Sequence, residues 1–120
     1  MARILVIEDG SSLCKLYKQD LESEGHEVVI AEDAIQGLGA FETHHPDVVV
    51  LDIRMPAMDG LDVMQRILGR DRKTRVVLNS GYASYRDSFL SWAADAYLVK
   101  TSDTSELRST IRNLLRGHQE

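Results

Sequence analysis

Asp47-Val48-Val49-Val50-Leu51-Asp52-Ile53-Arg54-Met55-Pro56-Ala57-Met58-Asp59-Gly60 is an apolar run that stops at a carboxylate and opens into a loop. Its continuous, mostly β-branched character suits a strand buried on both faces, as in a parallel sheet, rather than one face wet and one dry. Open α/β sheets bind ligands at the carboxyl ends of their strands, so Asp52 stands where chemistry is expected. By itself Asp52 could equally end the strand and hydrogen-bond the next turn. The rest of the chain decides between the two.

Outward from this stretch, short β-rich runs recur at Ile4–Ile7, Val28–Ala31, Val76–Leu78 and Ala96–Val99. Segments with helical spacing separate them. Leu13, Leu16, Tyr17 and Leu21 form one stripe, closed by Gly25. Ile35, Leu38 and Phe41 form a second, opened by Asp33 with Gln36 in the manner of a capping box. Leu61, Met64, Ile67 and Leu68 form a third, between Asp59-Gly60 and Gly69. Phe89, Leu90 and Ala93 suggest a short fourth helix. Leu107, Ile111, Leu114 and Leu115 form a fifth, with Asp103 and Glu106 at its start and Gly117 at its end. Strict strand–helix alternation predicts an α/β fold, a doubly wound parallel sheet between two helical layers. The five-stranded order 2-1-3-4-5 with five helices fits the element count, in one domain over residues 1–120.

Composition narrows the class. The 120 residues, 43% hydrophobic and 28% charged, suffice for a core without staples. A net charge of −5 disfavours direct nucleic-acid binding. Cys14 is the only cysteine, which excludes an internal disulfide; in a helical stripe it reads as a small buried hydrophobe. No apolar run reaches membrane-spanning length, the amino terminus turns acidic after four apolar residues, and a cytoplasmic protein is expected. His26, His44, His45 and His118 lack metal-ligand spacing and read as surface residues.

The polar residues at the strand ends share one rim in this topology. Glu8 and Asp9 follow the first strand, Asp52 the third, Ser80 the fourth and Lys100 the fifth. Each has an ordinary explanation: acids start helices, serine caps turns, and lysine stems lie on surfaces. Together they gather at the switch point between strands one and three. Crowded carboxylates call for a cation, and a hard oxygen-ligand site for Mg²⁺ (or Mn²⁺) follows, with Ser80 and Lys100 suited to holding a phosphoryl group on Asp52.

Ile4-Leu5-Val6-Ile7-Glu8-Asp9, the stretch from Asp52 to Gly60, Val76-Val77-Leu78-Asn79-Ser80 and Asp95-Ala96-Tyr97-Leu98-Val99-Lys100 together resemble the receiver domain of two-component response regulators, over essentially the whole chain. The resemblance implies a flavodoxin-like fold with Asp52 as phosphoacceptor. It implies Asp9, Asp52 and the backbone carbonyl of Arg54 as Mg²⁺ ligands, with Glu8 assisting through water. Ser80 would bind a phosphoryl oxygen and Lys100 would bridge to the phosphorylated aspartate. Tyr97 matches an aromatic whose rotamer reports activation, and Arg54 and Tyr82 would tune the phosphoryl lifetime. The implied partners are a sensor histidine kinase or phosphotransfer protein and a downstream protein or output domain. The switching face would be the fourth helix, fifth strand and fifth helix, on a monomer or a phosphorylation-dependent dimer. Such a chain catalyses only its own phosphorylation and dephosphorylation. Trp92 reads as a partner anchor or as a core residue of the fourth helix.

Departures from the family pattern carry expectations of their own. Thr101 follows Lys100 where proline is usual, and a cis bond there would cost about 2.5–4 kcal/mol. Gly81 replaces a small alanine, which should loosen the loop after Ser80. Ala93 stands where a glycine often ends the fourth helix, and the short Ser80–Lys100 interval suggests a trimmed helix or loop. Rival readings are a degenerate receiver that binds partners without phosphorylation, a phosphohydrolase with an aspartyl nucleophile, and a flavodoxin. The phosphohydrolase lacks its Asp-x-Asp here. In the flavodoxin, Glu8-Asp9 would repel the phosphate.

Overall fold

The structure, a computed structural model, describes residues 2–55, 58–81 and 93–117. Five parallel strands are β1 (Arg3–Ile7), β2 (Glu27–Ala31), β3 (Val48–Leu51), β4 (Arg75–Ser80) and β5 (Ala96–Val99), in the order β2-β1-β3-β4-β5. Among the described residues four helices accompany them: α1 (Ser11–Glu22), α2 (Ala34–His44), α3 (Gly60–Arg70) and α4 (Ser105–Gly117). The label α4 therefore falls on the helix expected fifth. The expected fourth, with Phe89 and Leu90, lies outside the described residues.

Strand alternation divides the core. Leu5, Ile7, Val49, Leu51, Val76 and Leu78 face α2 and α3 and pack with Phe41, Leu61, Met64 and Ile67. Ile4, Val6, Val48, Val50, Val77 and Leu98 face α1 and α4 and pack with Tyr17, Leu21, Leu107 and Ile111. All four residues of β3 are buried, as its unbroken apolar run requires. Its ladder partners are β1, from Ile4 opposite Val48, and β4, from Val48 opposite Arg75. Asp52 is thus carried out of the centre of the sheet, beside the end of β1.

Capping follows the local chemistry. Asp33 accepts the Gln36 amide at 2.8 Å, but the Gln36 side chain reaches back to the Glu32 amide at 3.3 Å, one residue earlier than a capping box places it. Asp59 accepts the Leu61 amide at 2.6 Å at the start of α3. Gly25, at φ 89°, closes the turn after α1.

The expected stripe on α2 needs correction: Ile35 is 72% exposed, and Ala34, Gly37 and Phe41 are the buried residues. A Cβ on Gly37 would stand 2.5 Å from Cδ1 of Ile7, so the helix backbone itself presses on β1 and turns Ile35 outward. His26 also departs from a plain surface histidine. It is half-buried, its Nδ1 is buried without a partner among the described residues, and burial lowers its pKa. His118 lies outside the described residues. No helix among them is long and apolar enough to cross a membrane.

Candidate functional site

The first carboxylates leave the sheet where β1 ends. Glu8 turns back into the protein, 2% exposed, and its Oε2 accepts the Gly10 amide at 2.9 Å; Asp9 faces solvent. The Glu8 main chain stays in register beyond the strand, its amide donating to the Ala31 carbonyl at 3.0 Å. Its own carbonyl accepts from Cys14 Sγ at 3.1 Å. Burial, followed by the nearby acids, pushes the Cys14 thiol up to about 11, so this cysteine is the inert buried residue expected of it.

Asp52 leaves β3 beside them, 5% exposed, with its amide bonded to the Ile7 carbonyl at 3.1 Å. Behind it, α3 begins in contact with the backbone of Asp52 itself. The Gly60 amide donates to the Ile53 carbonyl at 2.7 Å, and a Cβ on Gly60 would lie 2.0 Å from the Asp52 carbonyl oxygen. Only glycine permits that approach.

From the other side Lys100 arrives at the end of β5. Its Nζ stands 2.6 Å from Glu8 Oε1 and 3.1 Å from Asp52 Oδ2, so one ammonium spans both buried acids. The Lys100 amide donates to the Ser80 carbonyl at 2.6 Å, which ties the ends of β4 and β5 together. Ser80 is the last residue of β4 rather than a residue beyond it, and it is fully buried.

Electrostatics follow from burial first. Desolvation raises the pKa of Glu8, against the Lys100 and Gly10 hydrogen bonds that lower it. Desolvation likewise raises Asp52, against Lys100 and the Arg54 backbone hydrogen bond, with Asp9 adding to the rise. Burial pulls Lys100 down, but its bonds to Glu8 and Asp52 outweigh that and hold it above its usual value. Lys100 pairs with Glu8 and Asp52, and burial keeps both raised in spite of it. Glu8, Asp9 and Asp52 each offer an oxygen, all within 4.8 Å of one another. A hard, oxygen-only donor set fits a divalent cation of the Mg²⁺ or Mn²⁺ kind.

The structure thus brings together Glu8, Asp9, Asp52 and Lys100 by distance, and Ser80 by strand register. Arg54 is exposed on the loop after Asp52. Tyr97 is half-buried, opposite Leu78 in the ladder, against the α2–α3 side of the core. Tyr82 and Trp92 lie outside the described residues. No peptide among the described residues is cis, Lys100–Thr101 included. Sequence reading missed one partner beneath the site: Asn79, whose amide donates to the Tyr17 hydroxyl at 2.8 Å. The available signal was an amide inside an otherwise apolar strand.

A family model described as the response regulator receiver domain matches residues 4–112. Among solved structures, response regulator protein TrrA from Thermotoga maritima, in complex with Mg(2+)-BeF, is 37% identical with a TM-score of 0.91, covering 95% of this chain and 99% of that one. TrrA in complex with the histidine kinase ThkA gives 0.89 at the same identity, covering 96% of this chain and 99% of that one. Among curated proteins, a probable transcriptional regulator ycf27 of Cyanophora paradoxa is 36% identical over 95% of this chain and 48% of its own length. Transcriptional regulatory protein TrcR of Mycobacterium tuberculosis is 34% identical over 95% of this chain and 45% of its own length. The chain spans about half the length of these relatives.

Proposed function

The chain belongs to the response regulator receiver domain family, and from that premise we propose that it takes a phosphoryl group onto Asp52 from a phosphohistidine of a sensor histidine kinase or phosphotransfer protein. The observation that carries this reading is Asp52 itself: a buried carboxylate at the tip of the central strand, with an ammonium 3.1 Å away and two more carboxylates beside it. The complex of TrrA with ThkA supports a histidine kinase as the partner.

In the transfer, an Asp52 carboxylate oxygen forms a bond to phosphorus while the phosphorus–nitrogen bond of the donor imidazole breaks. The protein's task is positioning and charge stabilisation. Burial in the sheet holds the carboxylate in one orientation. The Lys100 ammonium offsets charge on the phosphoryl oxygens, and the Ser80 hydroxyl donates to one of them. Asp9, Asp52 and the Arg54 carbonyl, with Glu8 through water, would hold Mg²⁺ or Mn²⁺, whose chemistry is to neutralise phosphoryl charge. The complex of TrrA with Mg(2+)-BeF supports that assignment. Water later hydrolyses the acyl phosphate, at a rate that Arg54 and Tyr82 would tune. The chain acts on no other substrate.

Loading shifts a population rather than forcing a new state, by its differential interaction with the two conformations. In this reading Ser80 is drawn toward the phosphoryl group and Tyr97 repacks. The face of β5 and α4 then changes for a downstream protein, an output domain or a second copy. The setting is the cytoplasm.

Acetyl phosphate with Mg²⁺ tests the proposal. The expected product carries a single base-labile phosphate, absent after Asp52→Asn or with chelator present. Folded protein that takes up no phosphate from acetyl phosphate or a kinase would instead be a phosphorylation-independent binding module. Rapid multiple turnover of acetyl phosphate would make it a phosphatase.

A further inference from the structure

Asn79 is the amide in the otherwise apolar core of β4, and strand alternation turns it away from Ser80 toward the layer beneath α1 and α4. It is 5% exposed there, among Val77, Leu98 and Tyr17, where an unpartnered amide is costly. Its Nδ2 donates to the hydroxyl of Tyr17 on α1, itself 2% exposed, at 2.8 Å. Two apolar side chains would fill the same space without directional demand, whereas this pair is satisfied in one alignment of strand and helix. The cavity beside it measures about 10 Å³, enough for at most one water, so the pair is no ligand site.

Its place in the chain gives it leverage. Ser80 follows Asn79 directly, and its carbonyl receives the Lys100 amide. Gly81 comes next, exposed, with no described atom within 4 Å of where its Cβ would stand. Asn79 is therefore an anchoring side chain directly before Ser80, where the strand reaches the phosphoryl pocket. The same helix is fixed a turn later, where Asp20 accepts the Thr104 hydroxyl at the start of α4. A slip of the β4 tip would carry Ser80, and through its carbonyl Lys100, away from Asp52.

We propose that Asn79 and Tyr17 form a positioning pair, a buried hydrogen bond that pins the end of β4 to α1 and so holds Ser80 and Lys100 in register with Asp52. The kinetic part of this inference rests on Asp52 being the phosphoacceptor; the geometric part does not. Misplacement of reacting groups by about 1 Å can cost 10²-fold in rate, so partial loosening here is expected to slow loading about tenfold.

The test uses Tyr17→Phe, which keeps the ring and removes only the acceptor, and the double variant Tyr17→Phe/Asn79→Leu, which leaves no orphaned amide. Thermal unfolding, loading by acetyl phosphate with Mg²⁺, and hydrogen exchange at the Lys100 amide are measured on each. The expected result is a double variant that unfolds within a few degrees of the parent, loads about tenfold more slowly, and exchanges its Lys100 amide about tenfold faster. A double variant with parental stability, parental loading and parental exchange overturns the proposal. If the double variant does not fold, Tyr17→Phe decides, with slower loading and faster exchange expected and parental values overturning it. If the parent takes up no phosphate, the reading of Asp52 has failed, while the Lys100 exchange still decides the role of the pair.

Discussion

Lys100 places a single positive charge between two carboxylates that burial drives toward their neutral forms. Removing one partner of a buried charged network costs more than the network contributes net, because the remaining charges are left uncompensated. Lys100→Met is therefore expected to lower stability by about 2 kcal/mol and to slow loading of Asp52 by about 10²-fold. Urea unfolding and the acetyl phosphate assay check the two effects separately, and parental loading would show that Lys100 does not face the phosphoryl group. Lys100, Asp9, Asp52 and Ser80 were legible because each ends a strand, and the parallel sheet sends all strand ends to one rim. The Asn79–Tyr17 pair was not, since its members lie 62 residues apart and only packing brings an amide under a helix stripe.

Helix α3 is seated on the loop after Asp52 by backbone contact as well as by side chains. Its first residue lies so close to the Asp52 carbonyl that an added Cβ would overlap backbone, which cannot rotate away as a side chain could. Gly60→Ala is expected to cost about 3 kcal/mol and to weaken Mg²⁺ binding by displacing the loop that carries Arg54. Unfolding midpoints and Mg²⁺ titration measure it, and a variant as stable as the parent would mean that the helix can be reseated. The sequence foretold α3 well, since Leu61, Met64 and Ile67 recur at helical spacing and Asp59 supplies the cap. It foretold α2 less well. Periodicity weighs side chains, and at Gly37 the contact with Ile7 is made by backbone, so the exposed Ile35 was counted as core.

For the molecule as a whole, a buried acid cluster makes stability depend on pH and metal. Glu8 and Asp52 are raised from ordinary values of 4.5 and 3.8, so the folded chain binds their protons more readily than the unfolded one. Their penalty is full above the raised values, shrinks as pH falls through them, and vanishes below the ordinary ones. Lys100, raised above 10.5, contributes in the opposite sense: its support is full below that value and is lost as pH rises through the folded value. His26, lowered by burial, destabilises as pH falls below 6.5. It does so in parent and variant alike and drops out of their difference. Without metal, Asp52→Asn is expected to be more stable than the parent at pH 7, with the gap closing toward pH 3.8. With Mg²⁺ at a hundred times its dissociation constant the order reverses, because the ion adds about 2.7 kcal/mol to a chain that binds it. Urea midpoints across pH, with and without Mg²⁺, decide this, and a variant less stable than the metal-free parent at neutral pH would refute it.

The strand order also has a temporal consequence. The groups at the rim are drawn from β1, β3, β4 and β5, the last of them Lys100, and β5 enters the sheet only by pairing with β4. A chain emerging from the ribosome holds Glu8, Asp9 and Asp52 long before their counter-charge is synthesised. Copies that still lack β5 therefore hold this acid cluster without the ammonium that pairs with it.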